Sequence, residues 1–277
     1  MLIRCWGARG SIPVSGQDYL YYGGDTPCIE VRTGDDDIVI VDAGSGIRRL
    51  GNRLIAEDRH AYTMIFTHAH WDHIMGFPFF KPIYSPETRI ALFGCPFAQE
   101  SMKAIISRIM TPPNFPVDFN EITADLRYQD ACLDTFSIGS MTIIPIPISH
   151  PNQGMGYRFE EDGKSFVFLT DNELTYRHPG GLAYEEYRAF AQGADLLIHD
   201  AEYLPEEYRL TRSWGHSVYT DALRLALEAG VARLGLFHHN QDRTDREIDA
   251  MADECRRVAA GRPLSCFAMR QDMEIAL

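Results

Sequence analysis

The sequence predicts a strand-rich α+β protein built as one domain, and three observations carry that prediction. Short apolar runs rich in Val, Ile and Phe recur along the chain, each bounded by Gly, Asp or Pro, as buried strands are. Segments with apolar residues at helical spacing are interleaved with them. No linker, repeat or low-complexity tract divides residues 1–277, a length that at roughly 150 residues per domain allows one large domain or two small ones.

In chain order, strands are expected at Leu2 to Trp6, Cys28 to Arg32, Ile38 to Val41, Thr63 to Phe66 and Ile90 to Phe93. The interval 85–134 differs in character. It holds Pro86, Pro96, the cluster Thr111-Pro112-Pro113-Asn114-Phe115-Pro116 and one helix-like piece, Gln99 to Ile109. Prolines preset the backbone, so the interval is expected to be an insertion over the core, either a fairly rigid lid or a plain surface excursion. Strands resume at Thr142 to Ile148, Tyr157 to Phe159, Phe166 to Leu169 and Leu196 to Ile198. A helix is expected over Val218 to Ala229, where Ala222, Leu225, Ala226 and Ala229 share one face and Gly230 stops it. The strand Arg233 to Phe237 follows, and then a helix over Arg246 to Ala259. Thr244 and Glu247 form a capping-box pattern at its entry.

With 45% hydrophobic and 23% charged residues, the composition excludes collagen-like and disordered classes. The 26 basic and 39 acidic residues leave a net charge of −13, which repels polyanions and disfavours a long nucleic acid as partner. No apolar run of about 18 residues occurs, and the opening Met-Leu-Ile-Arg-Cys-Trp-Gly lacks a signal pattern. A cytoplasmic protein with no membrane partner is expected. Cys5, Cys28, Cys95, Cys132, Cys255 and Cys266 show no C-x-x-C pair and read as buried, reduced thiols.

The chemistry concentrates in Thr67-His68-Ala69-His70-Trp71-Asp72-His73, directly after the apolar run Met64-Ile65-Phe66. Alternation at a strand end can aim His68 and His70 one way while Asp72 and His73 turn toward a second position, which suits a pair of metals with nitrogen and oxygen ligands. Further donors are needed. Each of three also ends an apolar strand: His150, Asp171 and His238. His238 and His239 are adjacent, so they point to opposite faces, and only one of them can meet the metals.

On these residues, with Gly156-Tyr157, Leu169-Thr170-Asp171, His199-Asp200-Ala201, Gly215-His216-Ser217 and Leu236-Phe237-His238, the chain resembles the metallo-β-lactamase-fold hydrolases. It resembles most their phosphodiesterase branch, which includes RNase Z and cyclic phosphodiesterases. The resemblance implies a four-layer αββα sandwich with a dinuclear metal site on one edge. It also implies that His68, His70 and His150 hold one metal, that Asp72, His73 and His238 hold the other, and that Asp171 bridges them. Two divalent ions are expected, zinc first, with manganese or iron as alternatives.

The same resemblance implies a dyad of Asp200 and His216. This chain has Asp where the branch has Glu, and Val218 where it has Thr, which shortens the reach of the carboxylate. A phosphodiester's leaving oxygen needs a proton, and an imidazolium held by a carboxylate can give one. The implied reaction is attack on phosphorus by a hydroxide held between the metals, oriented by Asp72, with His216 as general acid. Ser217 is a candidate cap for the following helix, and Asn152 is a candidate substrate contact. His60 and His178 read as surface residues, and His199 as support for the core or for Asp200.

The expected substrate is a small phosphodiester such as a cyclic nucleotide, and a homodimer is a possible assembly. Two other readings stand beside it. One is a hydrolase of a lactone, thioester or β-lactam at the same metals; the other is a metal-binding or sensory module without turnover.

Overall fold

The structure, a computed structural model, describes residues 1–94, 101–113, 115–129 and 133–277. Cys95, Cys132, Pro96, Asn114 and the start of the expected helix at Gln99 lie outside the described residues.

Six strands lie side by side in one sheet: β1 (Leu2–Gly7), β2 (Cys28–Arg32), β3 (Ile38–Val41), β4 (Ala61–Ile65), β5 (Arg89–Phe93) and β6 (Asp125–Gln129). The pairs from β1 to β3 are antiparallel and those from β3 to β6 are parallel. A second sheet holds β7 (Phe136–Ile138), β8 (Met141–Pro147), β9 (Met155–Glu161), β10 (Lys164–Leu169), β11 (Leu196–Asp200), β12 (Arg233–Phe237) and β13 (Ser265–Ala268). It is antiparallel as far as β10 and parallel beyond. β14 (Glu274–Ala276) returns to pair with β1.

Side-chain alternation along β10 shows why the sheets stack. Phe166 and Phe168 join the core that also contains Val39, Val41, Met64 and Phe66 of the first sheet. Val167 and Leu169 point the other way, into a second core with residues of the covering helices such as Tyr187, Leu225 and Ile248. The helices are α1 (Ile47–Ala56), α2 (Trp71–Ile74), α3 (Met102–Ile109), α4 (Tyr184–Phe190), α5 (Tyr208–Thr211), α6 (Tyr219–Glu228) and α7 (Asp245–Val258). α1 packs on the first sheet, and α4, α6 and α7 supply the outer core of the second. The four layers are helix, sheet, sheet, helix, the αββα sandwich.

α6 and α7 match the expected helices to within a residue at each end. The capping box forms: Thr244 N donates to Glu247 Oε2 at 2.8 Å, and Glu247 N donates to Thr244 Oγ1 at 3.4 Å. The interval 85–134 differs from expectation, because it contributes β5 and β6 to the first sheet rather than lying wholly over the core. Cys5, Cys28, Cys255 and Cys266 are buried free thiols. No helix among the described residues is long and apolar enough to cross a membrane.

Strand direction positions the site. β8 and β10 both run antiparallel to β9, so their C-terminal ends meet at one rim, where β11 and β12 also end. The end of β4 reaches the same rim: Tyr157 donates its hydroxyl to the Phe66 carbonyl at 2.7 Å, and Met155 N donates to the Thr67 carbonyl at 2.7 Å.

Phe168 is fully buried in the core shared by the two sheets, with its ring centroid 5.2 Å from that of Phe237. Truncation to alanine removes the ring and leaves a cavity. Phe168→Ala is expected to lower stability by about 3–5 kcal/mol, read from the midpoint of urea unfolding.

Candidate metal centre

The chain leaves β4 at Thr67, passes His68 and His70, and enters α2, whose first turn carries Asp72 and His73. From the second sheet His150 follows β8, Asp171 follows β10 and His238 follows β12. These seven side chains converge. Donor atoms of His68, His70 and His150 lie within 4.8 Å of one another, as do those of Asp72, His73 and His238, and those of His68, His73 and Asp171.

Asp171 sits between the two triads. Its Oδ1 is 3.6 Å from His68 Nε2, 3.8 Å from His150 Nε2 and 3.3 Å from His238 Nε2, and its Oδ2 is 3.3 Å from His73 Nε2. One carboxylate thus faces both groups. His238 Nε2 is 3.1 Å from Asp72 Oδ2, and His150 Nε2 is 2.9 Å from His70 Nδ1.

The donors fit metal cations. His68 Nε2 and His73 Nε2 are buried with no hydrogen bond, an arrangement that is costly unless a further partner completes it. Burial, reinforced by neighbouring His73, holds the His68 imidazole well below its usual range, and burial pushes His70 and His150 down as well. Neutral imidazole is the form that ligates. Burial opposes charge on His73 and His238, but the carboxylates around them win. Asp72 and Asp171 raise His73, and Asp171, Asp72 and Glu202 raise His238, both well above the ordinary value.

The backbone at the rim is unusual. Asp42 and His238, each directly after an apolar strand, and Asp171, two residues past the end of β10, adopt φ of 63°, 57° and 52° respectively. That left-handed region is sparsely populated by side-chain-bearing residues and turns each chain sharply as it leaves its sheet. Gly10 and Gly215 permit close approach: a Cβ on Gly10 would lie 2.3 Å from His238 Nδ1, and one on Gly215 would lie 2.1 Å from His150 Nδ1.

Three buried carboxylates were not expected from the sequence. Asp42 Oδ2 accepts from His73 Nδ1 at 2.8 Å and from the Thr67 hydroxyl at 2.7 Å, which leaves His73 Nε2 for the centre. Glu202 Oε2 accepts from His238 Nδ1 at 2.9 Å. Such partners fix ring orientation and tautomer. Glu173 gathers four donors: Tyr208 Oη at 2.6 Å, Ser213 N and Gly215 N each at 2.8 Å, and His178 Nε2 at 2.8 Å. His178 is therefore buried in a polar cluster rather than on the surface.

His216 Nδ1 lies 2.8 Å from Asp200 Oδ2, so the shorter carboxylate does reach. Against burial, Glu202 and Asp200 raise the His216 imidazole above its ordinary value. His239 turns away and donates from Nε2 to the Met269 carbonyl at 2.7 Å. His199 Nδ1 donates to the Asp200 carbonyl at 2.7 Å. Ser217 does not cap α6: its hydroxyl donates to the Asn172 carbonyl at 2.6 Å, and Val218 precedes the helix with no side-chain cap. Asn152, in a turn with φ of 64°, donates from Nδ2 to His70 Nε2 at 3.3 Å.

Two clefts flank the centre. One, of about 570 Å³, has His216 and Glu202 in its wall; the other, of about 330 Å³, is lined by His68, His70, Trp71 and residues of α3, including Arg108.

The family model described as "Beta-lactamase superfamily domain" matches residues 37–239. Ribonuclease Z of Oceanobacillus iheyensis is 21% identical over 80% of this chain and 85% of its own length. Among solved structures, the metallo-beta-lactamase fold protein YhfI of Bacillus subtilis superposes with a TM-score of 0.72 at 18% identity, covering 99% of this chain and 98% of that one. The short form of human tRNase Z superposes with a TM-score of 0.67 at 17% identity, covering 100% of this chain and 99% of that one.

The ribonuclease Z relative and the tRNase Z neighbour overturn the expectation that a long nucleic acid is disfavoured, since both are named for cleavage of RNA. The charge argument failed because −13 is a sum over the whole surface, whereas binding answers to the local field at the site.

The geometry separates the two adjacent histidines. His238→Ala is expected to lower the metal bound per chain, read by elemental analysis after dialysis. His239→Ala is expected to keep the full metal content while losing roughly 1–3 kcal/mol of stability, because the Met269 carbonyl is left unpaired.

Proposed function

The chain belongs to the beta-lactamase superfamily, and from that premise and the geometry of its rim we propose that it is a metal-dependent phosphodiester hydrolase of the ribonuclease Z-like branch. The observation that carries this reading is the His216–Asp200 dyad beside the donor set, with 2.8 Å between Nδ1 and Oδ2. Hydrolysis of a carbonyl substrate at two metals has less need of such a group, whereas a phosphodiester must expel an alkoxide.

His68, His70 and His150 would hold one cation, Asp72, His73 and His238 a second, and Asp171 would contact both. Two such cations, zinc first and manganese or iron otherwise, would neutralise phosphoryl charge and make a water acidic enough to lose its proton near neutral pH. Asp72, whose Oδ2 also accepts from Ser11 N at 2.9 Å, orients the attacking water. His216, tied through Nδ1 to Asp200, carries the transferable proton on Nε2 and delivers it to the leaving oxygen. Asp200 and Glu202 favour the protonated ring before the transfer.

The catalytic unit is the single domain 1–277, with α3 of the interval 85–134 as one wall of the smaller cleft. The substrate is a small phosphodiester such as a cyclic nucleotide, and a cytoplasmic setting goes with it. The larger cleft, at about 570 Å³, is of nucleoside scale. Asn152 lies beside His70, where it can contact the phosphoryl group or its substituent. A second reading, the end of an RNA chain, is favoured by the ribonuclease Z relatives.

The metal-loaded protein should hydrolyse bis(p-nitrophenyl) phosphate together with either cyclic AMP or a precursor tRNA, and a chelator should abolish all turnover. His216→Ala is expected to lower kcat by about 10²–10⁴-fold with metal content unchanged. Hydrolysis of lactone, thioester or β-lactam substrates instead, indifferent to His216→Ala, would replace the reading with carbonyl chemistry. Full metal occupancy with no turnover on any of these substrates would leave a binding module.

A further inference from the structure

Trp214 is exposed over 62% of its surface in the wall of the larger cleft, two residues before His216. An indole on a loose loop would be unremarkable, but this one is held. The amides on either side of it, Ser213 N and Gly215 N, each donate at 2.8 Å to the buried carboxylate of Glu173. Ser213 and Gly215 adopt φ of 72° and 97°, a tight bend that carries Trp214 outward at its tip. Leu210 and Ile12, exposed over 75% and 54%, line the same cleft, which also presents the amides of Asn240 and Gln241. Asn240 is oriented by donating from Nδ2 to Glu202 Oε1 at 3.0 Å.

An exposed aromatic face on a fixed backbone, apolar flanks and side-chain amides together suit a planar heteroaromatic ring that also exchanges hydrogen bonds. The cleft's carboxylates Glu202, Glu207 and Asp242 stand against one guanidinium, Arg243, which is itself paired with Glu207. The cleft therefore favours the uncharged part of a ligand, and the phosphate belongs at the imidazoles. The cleft also opens beside His216, the group proposed to protonate the oxygen released from phosphorus, so its occupant is the part of the substrate that carries that oxygen.

Resting on the phosphodiesterase reading above, we propose that this cleft holds the group that bears the leaving oxygen, that this group is a nucleoside, which in a cyclic nucleotide stays joined to phosphorus through its second ester, and that its base stacks on Trp214. Trp214 is a specificity residue. It takes no part in bond breaking, and stacking accepts any base, so the subsite selects nucleosides over alkyl groups rather than one base over another.

The test measures adenosine binding to the metal-loaded protein by calorimetry and cyclic AMP hydrolysis in the same preparations, for wild type, Trp214→Phe and Trp214→Ala. Loss of the indole is expected to weaken adenosine binding and to raise KM by about tenfold or more, with kcat within threefold of wild type. Trp214→Phe keeps most of both, since a flat ring remains. Absence of adenosine binding to wild type, or adenosine affinity and KM of Trp214→Ala within twofold of wild type, overturns the subsite. Cleavage of phosphodiesters that ignores Trp214 would refute the subsite alone and spare the phosphodiesterase reading. Trp214-dependent adenosine binding in a protein that cleaves no phosphodiester would refute the phosphodiesterase reading and the cleft's part in the reaction together.

Discussion

Asp171 occupies the point where the two sheets must agree. It is buried at the end of β10, with imidazoles from both sheets within 4 Å of its oxygens. A carboxylate there is tolerable only in the company of opposite charge, and imidazoles there avoid mutual repulsion only if an anion stands among them. Against burial, His238, His73 and His68 hold the Asp171 carboxyl well below the usual range. Strand directions in the second sheet and the exit of β4 in the first bring these groups to one rim.

Around that centre a ring of carboxylates sets orientation. Asp42 fixes His73, Glu202 fixes His238, and Asp200 fixes His216. Each carboxylate takes the Nδ1 of its imidazole. Glu202 also lies 3.3 Å from His216 Nδ1, so one carboxylate contacts both His238 and His216. Glu173 acts at one remove: it ties the Ser213–Gly215 bend, and through Gly215 the bend accepts from His150 Nδ1 at 2.8 Å.

Much of this was legible in the sequence wherever donors crowd together or end an apolar run. His68 to His73 are contiguous, and His150, Asp171 and His238 each close a strand of Val, Ile, Leu or Phe. Asp42 ends Ile38–Val41 in the same way, but an Asp before Ala-Gly reads equally as a turn. Glu202 takes its meaning chiefly from His238 and Asn240, 36 and 38 residues on, and Glu173 chiefly from Tyr208, Ser213 and Gly215, 35, 40 and 42 residues on. Among the elements, α1 escaped because Gly51 interrupts it. That glycine answers to packing, since a Cβ would lie 2.8 Å from the Phe80 ring. β6 alternates exposed and half-buried residues with no apolar run, and the prolines around it hid its place in the sheet. The partner expectation failed for a different reason, since a whole-chain charge sum carries no information about where the charges lie.

The left-handed turns at Asp42, Asp171 and His238 also bear on how the centre is loaded. These conformations are unfavourable in isolation, so the surrounding sheets must enforce them. The same turns direct Asp171 and His238 toward the His68 loop, so the geometry a cation would use is carried by the sheets. In a zinc finger, by contrast, binding and folding are one event. A cation at this rim would be held by groups that the sheets position, and exchange of one metal for another would turn on ligand preference within that frame.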